Sequence, residues 1–169
     1  EALEFISDKS GSMLAMDMGT GKSRVVVDLI ARKGYKKVLI LAPLSVVANV
    51  WRGEFHKHAP DLMAVLPLAN KSTKSRREIA HQALQAGFPT AIVMNYDAVW
   101  RKPFGDWAMS QKWDLMVMDE SHRIKAPGGV ASRYCSRLSD RVEKRVALTG
   151  TPMSHSPLDI YAQYRALDK

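Results

Sequence analysis

Short runs of apolar residues alternate along this chain with longer segments in which apolar residues recur every three or four positions. The short runs predict six strands, at residues 12–16, 37–42, 62–66, 90–95, 114–118 and 145–148. Several runs, including 38–41 and 115–118, are apolar at consecutive positions, which is typical of strands covered on both faces. The longer segments predict helices at 22–33, 45–58 and 75–86, the last capped by Ser75. This alternation predicts a mainly parallel sheet with helices on both faces.

Composition narrows the class of protein. With 169 residues, 46% hydrophobic and 25% charged, the chain fits one globular domain spanning residues 1–169 and excludes wholesale disorder. Its apolar runs fall far short of the roughly 20 residues that a membrane span needs, and the single Cys135 excludes an internal disulfide. Lysine and arginine number 25 against 17 acidic residues, a net charge of +8. That excess fits a polyanionic partner and, equally, an ordinary surface with extra basic residues.

A glycine-rich turn follows the first predicted strand and opens the first long helix. Gly21, Lys22 and Ser23 match the end of the phosphate-loop pattern G-x-x-x-x-G-K-[ST], whereas Met16 stands where the first glycine belongs. The glycines let backbone N–H groups turn towards phosphate oxygens, Lys22 would reach the β- and γ-phosphates, and Ser23 would offer its hydroxyl to Mg²⁺. A plain strand–turn–helix junction would explain the glycines but not the Lys-Ser pair. The predicted nucleotide-binding residues are Met18, Gly19, Thr20, Gly21, Lys22, Ser23 and Arg24.

Two carboxylates follow the fifth predicted strand directly. Asp119 is placed to hold Mg²⁺ through its water shell, and Glu120 to orient or deprotonate an attacking water. Taken alone, the pair also fits a strand that ends in solvated acids at the surface. Because the carboxyl ends of parallel strands share one edge of a sheet, Lys22 and this pair are expected to converge on one nucleotide. Lys22, Asp119 and Glu120 are therefore the predicted catalytic residues, with Ser23 and Asp119 as the predicted metal contacts.

A Thr-Gly-Thr-Pro turn, residues 149–152, follows the last predicted strand and in isolation is a plain polar turn. Together with the two preceding motifs it resembles the first motor lobe of superfamily-two helicases, and in detail the Swi/Snf-type DNA-dependent ATPases. The resemblance covers nearly the whole chain. Residues 18–23, 41–51, 95–97, 119–125 and 148–152 are similar to motifs I, Ia, Ib, II and III of that family.

The resemblance implies a RecA-like P-loop fold that binds ATP and Mg²⁺ between this lobe and a second RecA-like lobe of the same polypeptide. It implies that three residues couple the nucleotide state to DNA and to the other lobe, namely His122, Thr149 and Thr151. It also implies contacts with the backbone of double-stranded DNA, with little sequence specificity, because phosphate contacts carry no sequence information. The implied DNA contacts are Ser45, Asn49, Arg52, Asn95 and Tyr96.

The chain departs from the family pattern at several points. Val50 is an extra residue between Asn49 and Trp51, residues 153–156 replace the family's "LQNN", and residues 1–11 contain no adenine-reading glutamine. The arginine that neutralises transition-state charge belongs to the second lobe, and such a residue contributes roughly 10³–10⁵ in turnover. We therefore expect the isolated lobe to be a monomer with almost no hydrolysis. A cytoplasmic, nucleoid-associated or nuclear location is expected, with no membrane partner.

Three functions remain open from the sequence. The leading interpretation is the ATP-binding lobe of a translocase that moves on double-stranded DNA. A strand-separating helicase or a restriction-type motor would carry the same motifs. A nucleic-acid-binding module gated by nucleotide without catalysis belongs to another class. The four tryptophans, 51, 100, 107 and 113, are interpreted as core residues rather than as platforms for bases.

Overall fold

A computed structural model of the chain describes residues 1–153 and 156–168. Its strands form one sheet in the order β1-β6-β5-β2-β4-β3, and every neighbouring pair is parallel. The strands are β1 (Gly11–Ala15), β2 (Lys37–Ala42), β3 (Ala64–Pro67), β4 (Thr90–Asn95), β5 (Trp113–Asp119) and β6 (Val142–Thr149). The predicted parallel α/β fold is confirmed, and β2 and β4 have the predicted bounds.

Helices cover both faces of this sheet. They are α1 (Ala2–Ser7), α2 (Lys22–Lys33), α3 (Leu44–Val47), α4 (Val50–His58), α5 (Thr73–Gln85), α6 (Tyr96–Val99), α7 (Phe104–Ser110), α8 (Val130–Ser139) and α9 (Leu158–Arg165), with a 3-10 turn at Ser121–Ile124. Val38 and Ile40 of β2 face the core shared with α1, α2 and α4, whereas Leu39 and Leu41 face the core shared with α5 to α8 and the residues just after α9. Side chains alternate along a strand, so those of β2 point to both faces of the sheet, and the helices bury both sets.

The register of the strands aligns their carboxyl ends. Ala15 of β1 pairs with Thr149 of β6, and Asp119 of β5 pairs with Leu148. On the other side of β5, Ala42 pairs with Asn95 of β4. The glycine-rich turn, the acidic pair and the Thr-Gly-Thr turn therefore leave the sheet at one edge.

Two helix predictions need correction. The helix expected at 45–58 is two helices, because Asn49 adopts φ −129°, outside the helical region, and its carbonyl begins α4 by accepting from the N–H of Gly53. The helix expected to begin at Ser75 begins at Thr73 instead. Its cap is Ser72, whose hydroxyl oxygen accepts from the N–H of Ser75 at 3.1 Å.

The strand β6 begins at Val142, three residues before its predicted start, because two cations there are buried rather than solvated. Arg145 is fully buried and donates from Nε to the carbonyl of Leu167 at 3.0 Å. The ammonium of Lys144 donates to the carbonyls of Ile6 and Lys9. Carbonyl oxygens take the place of water around the Lys144 ammonium and around Nε and Nη1 of Arg145, which is why the polar pair does not end the strand.

Other expectations from the sequence have mixed outcomes. Trp51, Trp107 and Trp113 are buried as predicted, whereas Trp100 is half-buried. Of residues 153–156, Ser154 and His155 lie outside the described residues. Within the described residues, no helix combines the length and apolar character needed to cross a membrane.

Candidate functional site

The glycine-rich turn joins β1 to α2 and depends on backbone conformations that favour glycine. Gly19 and Gly21 adopt φ of +78° and +84°, and a Cβ at either would meet no atom within 4 Å. The requirement for glycine is therefore one of backbone conformation and not of space. Gly21 is also the N-cap of the 12-residue helix α2, whose first N–H groups are directed out of the helix end. The turn has the local geometry of an anion-binding loop.

Lys22 closes this loop on itself. Its buried side chain donates from Nζ to the carbonyls of Met16 and Asp17 at 2.7 and 2.9 Å. The hydroxyl of Thr20 donates to the carbonyl of Asp17 at 2.7 Å. The cation is held within the loop by neutral acceptors, so a phosphate oxygen would replace a carbonyl as its partner.

The acidic pair is placed by a strained turn at the end of β5. Glu120 adopts φ +48° and ψ +54°, a left-handed conformation that few residues other than glycine adopt. Such a conformation costs of order 1–3 kcal/mol and persists only where surrounding contacts enforce it. The turn directs both Asp119 and Glu120 into the cleft that the phosphate loop also lines.

Asp119 is held from behind by two aromatic residues. Trp51 donates from Nε1 to Asp119 Oδ2 at 3.0 Å, and the hydroxyl of Tyr96 donates to the Asp119 carbonyl at 2.7 Å. Burial raises the pKa of the Asp119 carboxyl above its usual value, while the hydrogen bond from Trp51 acts in the opposite direction. The sequence placed Trp51 in the core but gave no sign of this contact, because 68 residues separate the two partners.

His122 lies between the acidic pair and the Thr-Gly-Thr turn. Its Nδ1 is 3.3 Å from Glu120 Oε2 and 3.5 Å from Thr149 Oγ1. Thr149 Oγ1 also accepts from the backbone N–H of Thr151 at 3.1 Å. The three residues predicted to couple the site to other parts of the protein therefore form one contact chain that starts at Glu120.

A buried glutamine that sequence reasoning missed makes a second connection between the same two turns. Gln163 of α9 is fully buried, and its Oε1 accepts from Ser121 Oγ at 2.6 Å. Its Nε2 donates to the carbonyls of Pro152 and Asp159 at 2.9 and 2.8 Å. The sequence offers only a weak signal for this role, a glutamine next to an apolar residue of a helix. In the structure that neighbour, Ala162, is buried beside it.

The glycine-rich turn, the acidic pair and the helix α4 line one cleft of about 490 Å³. Lys22 of the loop and Asp119 and Glu120 of the acidic pair all line it, so the expected convergence of the two motifs is confirmed. The lining residues are Met18, Gly19, Gly21, Lys22, Ser23, Arg24, Val46, Val50, Glu54, Lys57, His58, Asp119 and Glu120. The wall formed by α4 was not anticipated from the sequence.

The donor set of this cleft fits Mg²⁺ only in company with a nucleotide. Ser23 and Asp119 supply a hydroxyl and a carboxylate, the oxygen ligands that Mg²⁺ prefers. The described residues include no group of three or more His, Cys, Asp or Glu side chains able to hold a metal ion. Phosphate oxygens and water would therefore complete the coordination.

The five predicted DNA contacts fall into two groups. Ser45, Asn49 and Arg52 are exposed around the junction between α3 and α4. Asn95 and Tyr96 are buried, at 8% and 4% exposure, and the Tyr96 hydroxyl is already donated to Asp119. The Tyr96 hydroxyl supports the acidic turn in this structure, and DNA contacts at Asn95 and Tyr96 stay predictions.

Known proteins match this chain in sequence and in fold. The model of the SNF2-related domain matches residues 4–166. A probable ATP-dependent DNA helicase, CHR23, of Arabidopsis thaliana is 30% identical over 89% of the chain, and the nuclear protein STH1/NPS1 of Saccharomyces cerevisiae is 29% identical over 89%. The chain spans 14% and 11% of these relatives' lengths.

A solved structure shares the fold. The SWI2/SNF2 ATPase core of Sulfolobus solfataricus, in complex with double-stranded DNA, superposes with a TM-score of 0.76 at 23% identity. The match covers 99% of this chain and 34% of that one. The chain therefore corresponds in fold to a single portion of a larger ATPase core.

Proposed function

Since this chain belongs to the SNF2-related domain family, we propose that it is the first RecA-like lobe of an ATPase that couples ATP hydrolysis to movement on double-stranded DNA. The observation that carries the proposal is the convergence of Lys22, Asp119 and Glu120 on one cleft. A phosphate-binding cation and two carboxylates in one cleft are the groups that nucleotide hydrolysis requires.

The proposal gives distinct roles to the polar residues at and beside the cleft. The loop's N–H groups and Lys22 bind the phosphates, and Lys22 exchanges the carbonyls of Met16 and Asp17 for phosphate oxygens. Ser23 and Asp119 would hold Mg²⁺, which supplies positive charge against the phosphates. Glu120 orients the attacking water and accepts its proton. His122 contacts Glu120 and Thr149, which supports a role in linking hydrolysis to the rest of the motor.

A second lobe completes the site in this proposal. Leu158, Tyr161 and Tyr164 of α9 are large apolar residues more than half exposed, at three-residue spacing. Residues at this spacing share a helix face, and exposed apolar faces favour contact with another surface. We expect that lobe to provide the arginine that neutralises the transition state, so this chain alone should be a monomer that hydrolyses ATP hardly at all.

DNA binds in this proposal around the junction between α3 and α4. Ser45 and Asn49 offer neutral hydrogen-bonding groups there, and Arg52 offers a guanidinium. Contacts of these types with phosphates position a protein without reading bases, so we expect little sequence preference. The net charge of +8 favours association with a polyanion. A nuclear or nucleoid location follows from such a substrate.

The decisive experiment replaces Glu120 by glutamine in the natural full-length protein. We expect hydrolysis to fall by roughly 10²–10⁴ while ATP binding persists, because Glu120 acts on water and not on the nucleotide. The matched control is Glu78→Gln, an exposed residue of α5. Undiminished hydrolysis in the Glu120 variant would overturn the role given to Glu120, and no hydrolysis by the unmodified protein would overturn the proposal and favour a module that binds nucleic acid without catalysis. Strand-separation and translocation assays on duplex DNA distinguish a helicase from a translocase.

A further inference from the structure

The hydrogen bond between Trp51 and Asp119 connects the first turn of α4 to the acidic pair. The Trp51 side chain is fully buried, and its Nε1 donates to Asp119 Oδ2 at 3.0 Å. A large ring in a close-packed interior has little freedom to reorient. The direction of its N–H group is therefore fixed by the position of α4.

The helix α4 contributes to two surfaces at once. Val50 and Glu54 line the nucleotide cleft, whereas Asn49 and Arg52 are exposed at and beside the junction with α3. Trp51 lies between these residues and is directed inwards. A displacement of the beginning of α4 must therefore move the donor relative to the Asp119 carboxylate.

We propose that Trp51 is a positioning residue that couples contact at the α3–α4 junction to the orientation of the Asp119 carboxylate. This inference rests on the proposed function, which supplies DNA as the ligand at the junction and Mg²⁺–ATP as the ligand in the cleft. Donors that hydrogen-bond a metal-binding carboxylate from behind fix its orientation, and their loss typically costs roughly 10- to 100-fold in metal affinity. Asp119 is well suited to such control, because it is the residue by which β5 contacts both Trp51 and the cleft.

A purely structural role for Trp51 is the alternative, and the chain provides its own control. Trp113 is also buried, at 2% exposure, and donates from Nε1 to the carbonyl of Ala108 at 2.9 Å. Both tryptophans fill the core and donate one hydrogen bond from Nε1, which is partly buried at Trp51 and buried at Trp113. They differ in that the partner of Trp113 lies in α7, and neither Trp113 nor Ala108 lines the nucleotide cleft.

The test replaces each tryptophan in turn with benzothienylalanine, which keeps the shape of the ring and has sulfur in place of N–H. In the natural full-length protein, equilibrium binding of a fluorescent ATP analogue is measured against Mg²⁺ concentration. We expect replacement at Trp51 to raise the half-saturating Mg²⁺ concentration by about 10-fold or more. Binding without Mg²⁺ should be unchanged, and replacement at Trp113 should change neither quantity. Equal Mg²⁺ dependence at the two positions would overturn the proposal.

Coupling to DNA is tested by a double-mutant cycle with the Asn49→Ala/Arg52→Ala variant. We expect this variant to lose stimulation of hydrolysis by duplex DNA when Trp51 is intact, and to lose nothing further in the benzothienylalanine protein. If the two changes lower the stimulation by DNA additively, or if replacement at Trp51 leaves the stimulation unaltered, the coupling through Trp51 is contradicted. Trp51→Phe and Trp113→Phe provide a second matched pair if the analogue impairs folding. If hydrolysis depends on Glu120 but no measured quantity changes at Trp51, the coupling through Trp51 is wrong and the proposed function still stands.

Discussion

The phosphate loop and the acidic turn form two sides of one cleft, but different contacts hold them. The side-chain hydrogen bonds within the loop are local, since Lys22 and Thr20 bond carbonyls three to six residues away. The side-chain hydrogen bonds from Trp51, Tyr96 and Gln163 reach the acidic turn across 68, 23 and 42 residues. The conformation of the loop is therefore specified mainly by the adjacent sequence, whereas the acidic turn depends more on the assembled fold. We therefore expect a substitution in the loop to change hydrolysis and hardly the free energy of unfolding. A substitution that removes a contact of the acidic turn should lower the free energy of unfolding.

The largest effect is expected from Lys22→Ala on the local side. Removing the cation that we propose binds the phosphates should lower hydrolysis by about 10²–10³, as loss of one electrostatic contact to a transition state does. The free energy of unfolding should change by only about 0.5 kcal/mol, because the buried Lys22 side chain bonds carbonyls of a loop whose residues 17–21 are exposed, so water can replace the ammonium there. Single-turnover hydrolysis by the full-length protein and urea unfolding of this chain measure the two quantities. Lys33→Ala, an exposed residue at the other end of α2, is the control and should alter neither.

Gln163→Leu should show the reverse pattern on the distant side. Leucine leaves the Ser121 hydroxyl and the Pro152 carbonyl without their partner, and an unsatisfied buried polar group costs about 1–3 kcal/mol. Urea unfolding of this chain should reveal that loss, accompanied by slower hydrolysis in the full-length protein. Gln82→Leu, an exposed position on α5, provides the comparison. Equal stability of the two variants would show that the acidic turn does not depend on α9.

Tyr96→Phe tests whether this residue supports the turn or contacts DNA. Loss of the hydroxyl that donates to the Asp119 carbonyl should lower the free energy of unfolding by about 1 kcal/mol. Affinity for duplex DNA without nucleotide, measured by fluorescence anisotropy, should stay unchanged. A weakened DNA complex with unaltered stability would support the DNA contact predicted for Tyr96. Arg52→Ala is the positive control for the DNA measurement.

The smallest effect concerns the pH dependence of Asp119→Asn. Burial raises the pKa of this carboxyl in the folded state, so the folded protein binds more protons than the unfolded chain. The native aspartate therefore loses stability as the pH rises from its unfolded pKa through its folded pKa. The asparagine variant avoids that loss and should be slightly more stable than the native chain at pH 7, with the advantage disappearing in acid. Urea unfolding at pH 7 and below pH 4 measures it, and an advantage that grows in acid would contradict the cause assigned.

The same separation explains what the sequence could and could not predict. The parallel sheet, both motifs and their convergence follow from local patterns, namely apolar runs, Gly21-Lys22-Ser23 and the Asp119-Glu120 pair. The break at Asn49 was hidden, because residues 45–58 keep a helical periodicity across it. Trp51 and Gln163 were not recognised as supports of the site. Nothing in their neighbouring residues indicates a partner on another element, so only the folded arrangement identifies them.

The two buried cations in the first half of β6 bond this strand to two segments that lie outside the sheet. Lys144 bonds the carbonyls of Ile6 and Lys9, and Arg145 bonds the carbonyl of Leu167, which also lies so close to Gly11 that a Cβ there would be 2.0 Å from its oxygen. Both segments are thus bonded to β6, the strand flanked by β1 and β5. Those neighbours end at the glycine-rich turn and the acidic pair. The residues before β1 and after α9 are therefore joined through a single strand to both sides of the cleft.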